Sequence, residues 1–142
     1  MAFNVLVVDD SAVMRTMVVR TLRMSGVPLA AVHEAANGEE GLKLLANEWV
    51  DLLMLDINMP VMNGEEMLKR VRENPDTRDI RVIVVSTEGS ETRLANLQAL
   101  GASIVHKPFA PTTLRNTILR VTGVSDAEYY GAVPVADHGG DF

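Results

Sequence analysis

Five short apolar runs punctuate the chain: FNVLVV (residues 3–8), AAVHEA (30–35), DLLMLD (51–56), RVIVVS (81–86) and ASIVHK (102–107). The first, third and fourth are almost continuously apolar, as strands are when both faces of a sheet are covered. The second and fifth are shorter and more mixed, as edge strands are. Helical stretches lie between them. SAVMRTMVVRTLRMSG opens on Ser11, whose hydroxyl suits an N-cap, and closes on Gly26. Within it Val13, Met17, Arg20 and Met24 recur every three or four residues, with Arg15 and Arg23 outside that stripe. NGEEGLKLLANE starts at Asn37 and places Leu42, Leu45 and Ala46 on one side. NGEEMLKRVRENP starts at Asn63 and stops before Pro75, which disfavours helix in the residue preceding it. SETRLANLQALG runs from Ser90 to Gly101. PTTLRNTILRVTG has Pro111 near its first turn, Gly123 at its end, and Leu114, Ile118 and Val121 as an inward stripe. The order is βαβαβαβαβα. It predicts a parallel sheet with helices on both faces and right-handed crossovers.

At 142 residues the chain fits one domain and can bury a core without disulfides. There is no cysteine, which excludes disulfides and thiolate metal sites. His33, His106 and His138 show no metal-ligand spacing. No uncharged apolar stretch reaches the length of about eighteen residues that a membrane span needs. The N-terminus lacks the basic region and cleavage site of a secretory signal. The expected location is therefore the cytoplasm. A net charge of −6 argues against nonspecific binding of nucleic acid, which requires a basic face. The acid is unevenly placed: residues 124–142 carry Asp126, Glu128, Asp137 and Asp141 and no Lys or Arg. The chain accordingly divides into a domain at 1–123 and an acidic C-terminal tail at 124–142, whose composition predicts flexibility. A docking role for Tyr129–Tyr130 or the terminal GGDF is the sharper alternative.

The ends of the apolar runs carry the chemistry. Ligands of a parallel α/β sheet sit outside the carboxyl ends of its strands. Here the first run ends in Asp9 and Asp10, the third in Asp56, the fourth in Ser86 and Thr87, and the fifth in Lys107, followed by Pro108. An unpaired carboxylate ending a core strand is costly, so Asp56 calls for partners. Clustered carboxylates repel, and a hard divalent cation such as Mg²⁺ relieves that repulsion. A carboxylate can also attack phosphorus to give an aspartyl phosphate. A metal on one side and Lys107 on the other would neutralise the phosphoryl oxygens, and Ser86 could hydrogen-bond them. Singly, each residue has a simpler reading. Asp9–Asp10 would cap a helix, Asp56 would begin a turn toward Pro60, Ser86 would cap the next helix, and Lys107 would be solvated. Together, at the ends of four strands, they form a set for phosphoryl transfer.

The segments VLVVDDSAVMR, DLLMLDINMPVMNG, VIVVSTEG and HKPF jointly resemble the receiver domain of two-component response regulators, of the stand-alone chemotaxis type. The resemblance covers residues 3–122. It implies a flavodoxin-like (βα)5 fold, a doubly wound five-stranded parallel sheet of order 2-1-3-4-5. It implies phosphorylation of Asp56 by a histidine kinase. Mg²⁺ would be held by Asp10 directly, by Asp9 largely through water, by Asp56 and by the main-chain carbonyl of Asn58. Ser86 and Lys107 would bind the phosphoryl group, with a cis bond between Lys107 and Pro108. Asn58 and Glu88 match positions that tune dephosphorylation, and Gly64 supplies a permissive backbone in the MNG turn. Ser86 would move toward the phosphoryl group as a switch. Ile104 stands where many relatives carry Tyr or Phe, so it offers the readout no phenolic hydrogen bond. His106 is read as a strand residue.

The expected output is contact with a downstream protein such as a flagellar motor switch protein, and a phosphatase would be a further partner. Neither nucleic acid nor a membrane is expected to take part. The chain reads as a signalling module with self-catalysed phosphoryl transfer and autodephosphorylation, not as an enzyme acting on an external substrate. The alternative within the family is a phosphorelay intermediate or phosphate sink outside chemotaxis. An aspartyl-nucleophile phosphotransferase would want an acid where Asn58 stands. A nucleotide-binding module would want a Gly-rich phosphate loop where DDSAVMR stands.

Overall fold

The computed structural model describes residues 2–87 and 89–123. Ten elements alternate: β1 (Phe3–Val8), α1 (Ala12–Met24), β2 (Leu29–Ala35), α2 (Gly38–Asn47), β3 (Leu52–Leu55), α3 (Gly64–Glu73), β4 (Arg81–Ser86), α4 (Glu91–Ala99), β5 (Ala102–His106) and α5 (Pro111–Thr122). The strands form one sheet of order β2-β1-β3-β4-β5, and each neighbouring pair is parallel. The three unbroken apolar runs are its centre and the two mixed runs its edges, as the patterning predicts. The DLLMLD run shortens to Leu52–Leu55, with an acid outside each end. Asp51 accepts hydrogen bonds from the main-chain N–H (2.8 Å) and side chain (3.2 Å) of Asn4 and from the Trp49 indole (2.8 Å). It pins the amino end of β3 to β1.

Alternation along the strands sorts the core into two layers. Leu6, Val8, Leu53, Leu55, Val82 and Val84 meet Leu45, Met67, Leu68, Val71 and Leu97 from α2, α3 and α4. Val5, Val7, Leu52, Met54, Ile83, Val85 and Val105 meet Val18, Leu22, Leu114, Ile118 and Leu119 from α1 and α5. The helix starts fall where the capping residues stand. Ser11, Asn37, Asn63 and Ser90 each accept a main-chain N–H three residues on. Pro111 opens α5, and Gly123 closes it at φ 76°.

The stripe on α1 faces outward. Val13, Met17 and Met24 are 69%, 52% and 66% exposed, and the residues buried on the helix are Val18 and Leu22. Two apolar lines share the helical period, and spacing alone does not say which one meets the sheet. Val18 and Leu22 enter the core layer, and in this rotation Arg15 donates from Nη1 to the Asp9 carbonyl (2.7 Å) and from Nε to Glu34 on β2 (3.1 Å). On α2, Leu45 is buried as predicted and Leu42 packs at the margin, but Ala46 is exposed and Gly41 takes the inward place. No helix among the described residues is long and apolar enough to cross a membrane.

Candidate functional site

The polar ends of β1, β3, β4 and β5 meet at the carboxyl edge of the sheet, and main-chain bonds carry the key residues one step past their strands. The Asp9 N–H donates to the Ala35 carbonyl (3.1 Å), the Asp56 N–H to the Val8 carbonyl (3.0 Å) and the Lys107 N–H to the Ser86 carbonyl (3.0 Å). Each side chain therefore leaves a rigid ladder, not a free loop. The peptide bond between Lys107 and Pro108 is cis. Ser86 is fully buried at the end of β4.

Asp9, Asp10 and Asp56 each offer a carboxylate oxygen, and these oxygens lie within 4.8 Å of one another. The Lys107 Nζ is 3.2 Å from Asp9 Oδ2 and 3.7 Å from Asp56 Oδ1. Asp9 is buried and Asp10 exposed, so the cluster has a dry wall and an open mouth. The Asp9 carboxylate also accepts the Ser11 N–H (2.9 Å), which ties it to the start of α1. The Asp56 carboxyl is held above the ordinary carboxylate range. Burial is the main cause; Asp9 and Asp10 add to it, while Lys107 and the Ile57 N–H oppose it. One ammonium does not balance three clustered carboxylates. An all-oxygen donor set with surplus negative charge and one open side suits a hard divalent cation of the Mg²⁺ type.

The segment after β3 folds down by alternation. Ile57, Met59 and Met62 are buried, while Asn58, Pro60 and Val61 face outward. Gly64 opens α3 directly beneath Asp56, and its N–H donates to the Ile57 carbonyl (2.8 Å). A Cβ there would collide with the Asp56 carbonyl oxygen and lie 2.8 Å from the Ile57 Cα, so the close approach requires glycine. The Asn58 Oδ1 accepts a hydrogen bond from Arg93 Nη1 on α4 (3.1 Å). Ile104 is partly buried against the layer under α4, and His106 ends β5 exposed.

The structure thus brings Asp9, Asp10, Asp56 and Lys107 together, sets Ser86 on the adjoining strand end and places Asn58 on the segment that leaves Asp56. Glu88 and residues 124–142, with Tyr129 and Tyr130, lie outside the described residues. Sequence reading missed Arg15, which grips the Asp9 carbonyl, and Arg93, which grips Asn58. Arg93 is 35 positions from its partner, and no local pattern distinguishes it from a solvated helix arginine.

The profile of the response regulator receiver domain matches residues 5–119. A chemotaxis protein CheY homolog of Campylobacter jejuni is 38% identical over 127 residues, covering 88% of this chain and 96% of the relative. Chemotaxis protein CheY1 of Helicobacter pylori is 36% identical over 125 residues, covering 87% and 99%. The solved structure of Vibrio cholerae chemotaxis protein CheY4 superposes with a TM-score of 0.75 at 37% identity, covering 85% of this chain and 99% of that one. With its strand order, its acidic edge and these relatives, the chain belongs to the response regulator receiver domain family and is of the CheY type.

Proposed function

We propose that this receiver domain is a phosphoacceptor. A histidine kinase transfers a phosphoryl group to Asp56, and the phosphorylated chain signals by binding a downstream protein in chemotaxis and flagellar motor control. The observation that carries this reading is the Lys107 ammonium set between Asp9 (3.2 Å) and Asp56 (3.7 Å) at the edge of the acid cluster. In the transfer, an Asp56 oxygen bonds to phosphorus as the bond from phosphorus to the phosphohistidine nitrogen breaks. The imidazole keeps the electron pair. Lys107 then follows the new charge from the carboxylate to the phosphoryl oxygens. Asp10, Asp9 through water, Asp56 and the Asn58 carbonyl would hold Mg²⁺. When bound, the ion supplies positive charge to the phosphoryl oxygens. Ser86 bonds the phosphoryl group and acts as the switch. Ile104 responds by repacking, since it has no hydroxyl to offer. Asn58 and Glu88 tune how long the phosphoryl group stays. The chemotaxis names of the relatives from Campylobacter and Helicobacter support the output assigned here.

Incubation with acetyl phosphate and Mg²⁺ tests the reading. Intact-mass measurement should find one added phosphoryl group, absent in Asp56→Asn and absent when EDTA removes the metal. A wild-type chain that stays unmodified under these conditions ends the proposal.

A further inference from the structure

We propose that Arg93 is a positioning residue that restrains the Asn58 carboxamide and so prolongs the life of the phosphoryl group on Asp56; this rests on the phosphoacceptor reading. Asn58 follows Asp56 by two residues, between the buried Ile57 and Met59. Its main chain is therefore held, and only its side chain is free to choose a direction. That direction is set by Arg93, whose Nη1 donates to the Asn58 Oδ1 at 3.1 Å. Arg93 stands in the first turn of α4, which Ser90 caps through the Arg93 N–H (3.3 Å). Its Nε is 3.7 Å from Glu65 Oε1 at the start of α3. Separate nitrogens of one planar guanidinium thus face Asn58 and Glu65 together, an arrangement a lysine cannot reproduce. The side chain is 30% exposed, so its role is not that of a core residue.

Loss of the phosphoryl group needs a water in line with the bond to Asp56. The water oxygen bonds to phosphorus as the bond to the Asp56 oxygen breaks. A water proton passes to the phosphate or to solvent, and the carboxylate is restored. A carboxamide beside that path can accept a hydrogen bond from the water through its oxygen and donate to a phosphoryl oxygen through its nitrogen. A glutamine carboxamide orients the attacking water in other phosphoryl-transfer sites. With Arg93 on its Oδ1, Asn58 points its acceptor at α4 and not at the water. Glu65 offsets the charge of Arg93, so Arg93 acts by holding Asn58, not by its field.

The test is the first-order loss of phosphoryl label from protein loaded with acetyl phosphate, desalted, and followed at saturating Mg²⁺. Arg93→Ala should lose the group about three- to tenfold faster, the equivalent of one freed hydrogen bond. Glu65→Gln should act in the same direction with smaller effect, and Arg93→Lys should fall between wild type and Arg93→Ala. The double variant Arg93→Ala/Asn58→Ala should be no faster than Asn58→Ala alone. A general loosening of the fold would not give that non-additivity, and thermal melts of each variant check the fold directly. An unmoved or slower rate in Arg93→Ala overturns the inference. So does an acceleration that persists undiminished in the Asn58→Ala background. Normal loading with either result rejects the role of Arg93 alone, whereas a wild type that takes up no phosphoryl group rejects the phosphoacceptor reading itself.

Discussion

At the scale of single residues, two side chains carry free energy that local chemistry does not recover. Asp56 is the first. Its folded-state pKa is raised, so the folded chain holds this proton more tightly than the unfolded chain does. The contribution of Asp56 to stability is then greatest below the ordinary carboxylate pKa and declines as pH rises through the raised value. In metal-free protein at neutral pH the ionised carboxylate works against folding. Asp56→Asn should therefore melt above wild type in EDTA at neutral pH, and the gap should close as pH falls toward about 4. Equal melting temperatures at neutral pH would contradict this. Val61 is the second. It is β-branched, 75% exposed, and sits at φ 67°, a left-handed conformation that costs an L-residue about 1–2 kcal/mol. Asn tolerates that backbone, so Val61→Asn should stabilise the domain by about 1 kcal/mol in urea titration. The neighbours explain why the strain is tolerated: Met59 and Met62 on either side are sunk in the core and fix the path between them.

At the scale of elements, arginines join pieces that the ladders leave separate. Arg72 on α3 donates from Nε to the Leu100 carbonyl (2.7 Å) and from Nη1 to the carbonyls of Arg78 (2.7 Å) and Ile80 (2.6 Å). It closes the carbonyls at the end of α4 and of the connection into β4. Burial lowers its pKa and Asp79 opposes that shift. Arg72→Ala leaves these carbonyls without their charged donor and should cost about 3 kcal/mol by chemical denaturation. Arg72→Lys should recover little, because one ammonium cannot span the three oxygens. Element identity and order were legible because strand patterning and helix caps are local. Ser11 caps α1 as the sequence suggests, and Asn37, Asn63 and Ser90, where the sequence reading starts the next helices, cap them in the structure. The direction of α1 was not legible. Its exposed line of Val13, Met17 and Met24 has the same period as its buried line, and only packing against the sheet, which takes Val18 and Leu22, separates the two.

At the scale of the whole molecule, the sheet gathers surplus negative charge at its carboxyl edge, so a divalent cation should link to folding. Mg²⁺ at about 100 times its dissociation constant should stabilise the folded chain by about 2.7 kcal/mol, seen as a raised melting temperature that EDTA reverses. Asp10→Asn should reduce that response. An unchanged melting temperature would show that the cluster does not hold the ion. The sequence by itself determined five strands, five helices, their alternation and the polar residues that follow four of the strands, since these follow from side-chain period and capping within a few positions. It also singled out Asp9, Asp10, Asp56, Ser86 and Lys107 as a set. Only the tertiary structure decided that Lys107 reaches Asp9 across 98 positions of chain, that Asn58 leans on Arg93, and that Asp56 is shielded enough to shift its proton affinity. Those outcomes depend on distances and burial. Both are set by how the layers pack against one sheet, and no local pattern encodes them.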